Sequence, residues 1–267
     1  MVIPEKKDIL ENAARAAGEV LRAYFQGGLD ISLKTDIHDL VTEADHKAQD
    51  AVVSSIQSEI KKSSIHGRLG FLGEEGLYSP GEYLFVIDPL DGTTNFAAGL
   101  PYFSVSIAIL KDNKPFAGVV YQVVEDKMYY GAVGEGAYLN NKRFYIPAMA
   151  RMQDCFAITN LSKKEGVRKL RLKQIAKVYP NIRTIRVFGS IALDICSIAV
   201  GAGDIAWAGG AIWDLVAADV IISEAGGEVV GVETGAPLVY TPENTHEYYQ
   251  FIAGNKKLTR TFRTYLS

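Results

Sequence analysis

The densest chemistry in the chain lies in DPLDGTTNF, residues 88–96. Two carboxylates three positions apart follow the apolar run YLFVI, with a proline, a glycine, two threonines and an asparagine around them. Acids at the end of a buried strand are costly unless a cation holds them. Pro89 lacks an N–H and has a fixed φ, so the strand is expected to end at Asp88. The chain then leaves the sheet sharply and turns Asp91 back toward Asp88. Gly92 removes a side chain where a ligand could approach the backbone. Thr93, Thr94 and Asn95 read as the first turn of a short helix, whose unsatisfied N–H groups suit a phosphate.

Other acids could join this pair. FLGEEG ends an apolar strand in Glu74 and Glu75, VTEAD puts Asp45 near a helix start, and IWDLVAADVIISEAGG puts Asp214 at the edge of another helix. Asp214 reads equally as a helix cap, and Glu74 as a solvated strand end. Taken with Asp88 and Asp91, these carboxylates form a hard-oxygen donor set that suits Mg²⁺ or Mn²⁺ rather than zinc. The four histidines are scattered without metal spacing, and Cys155 and Cys196 read as reduced core thiols.

Something must bring these acids together. The chain has 267 residues, 48% hydrophobic and 22% charged, with a formal net charge of −3. That is an ordinary globular composition with no basic footprint for nucleic acid or for an anionic membrane. No secretory core opens the sequence and no apolar run reads as a membrane span, so a cytoplasmic location is expected. Ile9, Leu10, Ala13, Ala14, Ala17, Val20 and Leu21 mark one helix, and Ala44, Ala48, Val52, Ile56 and Ile60 a second, from about 43 to 61. Short alternating strands follow, separated by Asp112-Asn113, Glu125-Asp126 and Asn140-Asn141 turns, so a mostly antiparallel meander is expected. After Pro147 strands alternate with helices near 165–178, 190–200 and 215–225. Residues 1–147 and 148–267 therefore read as an α+β half and a smaller α/β half, with the site in the cleft between them.

DPLDGTTNF resembles the first signature of the inositol monophosphatase family of metal-dependent phosphatases, and WDLVAADVIISEAGG (213–227) resembles its second. GEEG and DLVTEAD match two further family stretches in the same order. The resemblance implies a layered αβαβα sandwich of the sugar-phosphatase type and catalysis with two or three Mg²⁺ ions. By position, Glu74, Asp88 and the Leu90 carbonyl would hold one ion, and Asp88, Asp91 and Asp214 a second. Glu74 would also serve a weaker third through water. Gly92 and Thr93 would bind phosphate, while Asp45 and Thr93 would orient a water attacking in line. Lys34 matches a basic position in a mobile loop of the family. The resemblance also implies lithium sensitivity and a homodimer.

Thr94-Asn95-Phe96 follows the pattern of inositol monophosphatases, which points to a sugar or cyclitol monophosphate, inositol-1-monophosphate first. Two departures stand out. DIAWAGGAIWD offers Trp207 and Ala208 where many relatives place an acid, and FGSIALDIC puts Ile191 where relatives carry a small residue. With Gly189, Ser190, Asp91 and Asp214, Ile191 and Trp207 are the expected substrate contacts. Fructose-1,6-bisphosphatase activity, alone or alongside, is the near alternative. A non-catalytic interaction protein is the distant one.

Overall fold

Ile9, Leu10, Ala13, Ala14, Ala17 and Leu21 recur at helical spacing, and each is buried. They form the inner stripe of α1 (Lys6–Gly27), which packs beside α2 (Glu43–Lys62). Truncating one of these large residues, as in Leu10→Ala, removes apolar contact that neighbouring atoms refill only in part, at about 2–5 kcal/mol. The computed structural model describes residues 6–27, 31–33, 40–62, 67–148, 151–245 and 247–266. Lys34, His38, His66 and His246 lie outside the described residues. A two-stranded ribbon, β1 (Ile31–Leu33) with β2 (Leu40–Thr42), links the two helices.

The first large sheet holds β3 (Leu69–Gly73), β4 (Tyr78–Ser79), β5 (Tyr83–Asp91), β6 (Ser104–Lys111), β7 (Lys114–Gln122), β8 (Lys127–Ala132), β9 (Gly136–Leu139) and β10 (Lys142–Phe144). Their order is β10-β9-β8-β7-β6-β5-β3-β4. From β5 to β10 this is the expected meander, whereas β3 lies parallel to β5. The polar dipeptides do the turning: Asp112 and Asn113 take φ of 51° and 59°, Asn140 and Asn141 47° and 65°. Both central residues in the left-handed region is the hairpin geometry whose twist matches the strands it joins.

The second sheet contains β11 (Phe156–Thr159), β12 (Thr184–Arg186), β13 (Ile205–Gly210), β14 (Glu228–Gly231) and β15 (Tyr249–Gly254), in the order β12-β11-β13-β15-β14. The remaining helices are α3 (Thr93–Ala97), α4 (Glu165–Val178), α5 (Ile191–Ala199), α6 (Ile212–Glu224) and α7 (Lys256–Arg263). The short strands β2, β4 and β10 and the helix α7 went unread in the sequence, where the polar stretch around β2 reads as a loop. α7 carries buried Leu258 and Phe262 among four basic residues, so its charge dominates the pattern.

Three apolar clusters stack these parts into an αβαβα sandwich. Phe85, Ile87, Val105 and Ile107 meet α1 and α2 on one face of the first sheet. Val86, Ala108, Val120 and Tyr129 meet α5 and α6 on the other, and the same cluster takes in Ala206, Phe251 and Ala253 of the second sheet. Trp207, Val230 and Ile252 close against Leu258 and Phe262 behind it. Thus α6, late in the chain, is packed on the early sheet. A Cβ on Gly118 of β7 would stand 2.6 Å from the Ala217 backbone of α6, so the helix approaches closely only because that strand position is glycine. Among the described residues no helix is long and apolar enough to cross a membrane.

Candidate active site

The strand β5 does not stop at Asp88. It runs to Asp91, with its register to β6 shifting between the two acids: Asp88 pairs with Ser106 and Asp91 with Ser104. Pro89 and Leu90 are accommodated in that irregularity rather than ending the strand. Pro89 needs no ladder donor where pairing lapses, and the bulge aims both acids to one side. The Leu90 N–H donates to Asp88 Oδ1 (3.0 Å), and Thr93 Oγ1 donates to the Leu90 carbonyl (3.0 Å). The Leu90 side chain itself is buried. Gly92 follows at φ 100°, and α3 begins at Thr93.

Asp88, Asp91 and Asp214 each offer a carboxylate oxygen within 4.8 Å of the others. Asp214 enters from the far sheet on the first turn of α6. Its Oδ2 also accepts from the Ala211 N–H at 2.7 Å, so capping and convergence are one arrangement. A Cβ on Gly210 would come 2.5 Å from that oxygen, so this glycine leaves room for the carboxylate. Glu74 lies just past β3, close enough to Asp88 for each carboxyl to shift the other. Asp45, buried in the first turn of α2, acts electrostatically on Asp88.

Burial is the first cause that raises the Asp88 carboxyl well above its ordinary value, followed by the charges of Glu74, Asp91, Asp214 and Asp45. Asp214 is raised in the same way, by burial and then by Asp91 and Glu74. Glu74 keeps solvent contact at the mouth of the cleft, yet dense surroundings and then Glu75 push it up to about 7. Carboxylates this close repel one another unless protons or cations intervene. The donors are all hard oxygens, with no thiolate or imidazole among the clustered ligands, which fits a divalent cation of the magnesium type.

Asp91 is also raised by burial, but it has specific partners. Ser190 Oγ donates to Oδ2 (2.5 Å), the Ile191 N–H to Oδ1 (3.1 Å) and the Ala192 N–H to Oδ2 (2.8 Å). An acid of the first sheet thus caps α5, which leads into the second. Ser190, expected from the sequence as a substrate contact, is instead fully buried with its hydroxyl engaged by Asp91 and does not line the cavity. Trp207 is corrected more strongly. Its side chain is wholly buried against Phe262 (ring centroids 5.1 Å apart), because β13 points alternate residues to opposite faces and 207 falls on the rear one.

A cavity of about 590 Å³ opens beside Asp91. Thr94, Asn95, Gly189 and Ile191 line it on one side, and Asn160, Ser162, Lys163 and Arg168 on the other. The Lys163 charge reaches the acids, where it lowers the Glu74 carboxyl. Lys163 and Arg168 were missed in the sequence because NLSKKEGVRKLR reads as an ordinary charged helix start. Exposed Leu161, Val187 and Phe188 complete the wall.

Acids from a strand and a helix converge in an αβαβα sandwich beside a cavity of mixed charged and apolar lining, the arrangement of a protein able to hold a divalent cation against a small substrate. The profile of the Inositol monophosphatase family matches residues 5–266. Inositol monophosphatase 1 of Mus musculus is 34% identical over 234 residues, 84% of this chain and 82% of its own. The solved extragenic suppressor protein suhB from Bartonella henselae is 32% identical, covers 98% of both chains and superposes with a TM-score of 0.86. The IMPase of Thermotoga maritima is 28% identical, with a TM-score of 0.84 over 98% of this chain and 96% of its own. The chain belongs to the inositol monophosphatase family, whose members are metal-dependent phosphoric monoester hydrolases.

Proposed function

We propose that the protein hydrolyses a sugar or cyclitol monophosphate, inositol-1-monophosphate first, with Mg²⁺ held by Glu74, Asp88, Asp91, Asp214 and the Leu90 carbonyl. The convergence of Asp88, Asp91 and Asp214 carries this reading. Divalent cations bound there would neutralise phosphoryl oxygens and lower the pKa of an attacking water. The chain's own residues supply the rest. The first amides of α3, at Gly92 and Thr93, have no intrahelical acceptor and are offered to the phosphate. Asp45 and Thr93 orient the attacking water. A short anchored turn suits this task, since Thr93 Oγ1 is already held by the Leu90 carbonyl. Ile191 and Gly189 meet the ring of the substrate. Two or three ions per site, tolerance of Mn²⁺, inhibition by lithium, a homodimer and a cytoplasmic setting belong to the same proposal.

A second reading is favoured by Lys163 and Arg168, two cations in a cavity where, among the described residues, Asp91 is the one acid of the lining. They suit a second anionic group, so fructose-1,6-bisphosphate is the alternative substrate. One assay tests both: phosphate release from inositol-1-phosphate, fructose-1,6-bisphosphate, 3′-phosphoadenosine phosphate and NADP⁺, with and without Mg²⁺. Metal-dependent release from the first is the expected result. Release from none, or release that ignores metal, refutes the proposal.

A further inference from the structure

Asn95 stands on α3 one turn from the offered amides, half-buried at the edge of the cavity. Its carboxamide nitrogen donates to the Tyr102 carbonyl at 2.7 Å and to the Phe188 carbonyl at 2.7 Å. The first acceptor lies between α3 and β6, the second between β12 and α5. Both N–H bonds of one amide group are thereby engaged, and they join the connections of two different sheets. Gly189 folds back over the amide at φ 92°, where a Cβ would come 3.2 Å from Nδ2. The Tyr102 and Phe188 rings pack at 5.0 Å, and the Tyr102 hydroxyl donates to Asp194 Oδ1 at 3.0 Å. From the other side Asp91 holds Ser190, Ile191 and Ala192.

We infer that Asn95 is a positioning residue: its carboxamide latches the 187–190 segment to the helix that faces the phosphate, and so fixes the ring-binding wall relative to the reacting group. The inference rests on the phosphatase reading above. Two carbonyl oxygens aimed at one point repel each other unless a group with two donors stands between them. A carboxylate at 95 would add a third acceptor. An alanine would leave both carbonyls to water and let the segment move, since its own side chains Val187 and Phe188 are exposed. Asp91 would still anchor α5, so the expected defect lies in placement of the wall rather than in folding.

Two variants remove the latch in different ways. Asn95→Asp removes the donors at constant volume, and Asn95→Ala removes the bridging side chain altogether. For each, KM and kcat with inositol-1-phosphate are measured, together with inorganic phosphate affinity by calorimetry in Mg²⁺ and amide hydrogen exchange across 184–195. The expected result is a KM raised about tenfold with kcat changed less than about threefold, phosphate affinity within about twofold, and faster exchange confined to 187–190. An unchanged KM, or phosphate affinity falling in proportion to KM, overturns the latch. If wild-type protein hydrolyses nothing in the panel, the function proposal fails, while the exchange and phosphate arms still decide whether Asn95 holds the segment.

Discussion

Asp88 and Asp91 sit on a central strand of the eight-stranded sheet, and Glu74 follows the strand beside it. Asn160 to Lys163, Arg168 and Val187 to Gly189 instead belong to connections, or to a first helical turn, of the five-stranded sheet. The acids are buried or lie in a dense cleft, while Leu161, Val187 and Phe188 are exposed. The first region is held by ladder bonds and a packed core on both faces. The second is held by a few side-chain bonds, of which Asn95 and Asp91 make the most direct. The contrast teaches how one fold can keep its reaction while varying its substrate. Charge convergence needs rigid strands, whereas ring recognition needs only loops hung from them.

The largest expected effect comes from removing an acid. Asp88→Asn should lower kcat by about a thousandfold, or about 4 kcal/mol of activation free energy, with little change in melting temperature. Phosphate-release kinetics and a thermal melt check this, and turnover within tenfold of wild type would break the claim that the rigid region carries the chemistry. Asp88 is a cleaner test than Asp91, because Asp91 also caps α5 and its loss would confound activity with stability.

Next comes the packing behind the acids. Gly118→Ala pushes a Cβ into the Ala217 backbone and should cost about 1–3 kcal/mol by denaturant titration. A neutral outcome would mean that α6, and Asp214 with it, is less firmly seated than the strands. On the loop side, Arg168→Ala should raise KM about tenfold for fructose-1,6-bisphosphate, or about 1.4 kcal/mol, and raise it less for inositol-1-phosphate. Equal effects on both substrates would remove the reason for a second anion site.

The smallest effect is a pH slope. In metal-free protein the Glu74 carboxyl, solvent-touched but densely surrounded, is pushed up to about 7 by desolvation in those surroundings, then by Glu75 and Asp91, from a usual 4.5. The folded state therefore holds this proton more tightly than the unfolded chain does. Its contribution to stability is complete below about pH 4.5 and is lost as pH rises through about 7. Asp88, Asp91 and Asp214 are raised too and act in the same sense. The melting temperature without metal should fall across that window by a few degrees. Glu74→Gln should flatten the fall and Mg²⁺ should reverse it; a metal-free melting temperature that rises from pH 5 to 7.5 would contradict the clustering.

The sequence determined, by itself, whatever depends on near neighbours. Helical stripes, polar hairpin dipeptides and the Asp88–Asp91 pair are local patterns, and local chemistry is what periodicity and turn residues encode. It also brought Glu74, Asp45 and Asp214 forward as candidates. Tertiary structure alone decided that α6 lies on the early sheet, bringing Asp214 beside Asp88, and that Pro89 rides a bulge instead of ending its strand. It turned Trp207 into the rear core, engaged Ser190 with Asp91, and placed Lys163 and Arg168 in the cavity. Each of these depends on which face of one element meets which face of another, and that is fixed by packing across the whole chain rather than by the residues on either side.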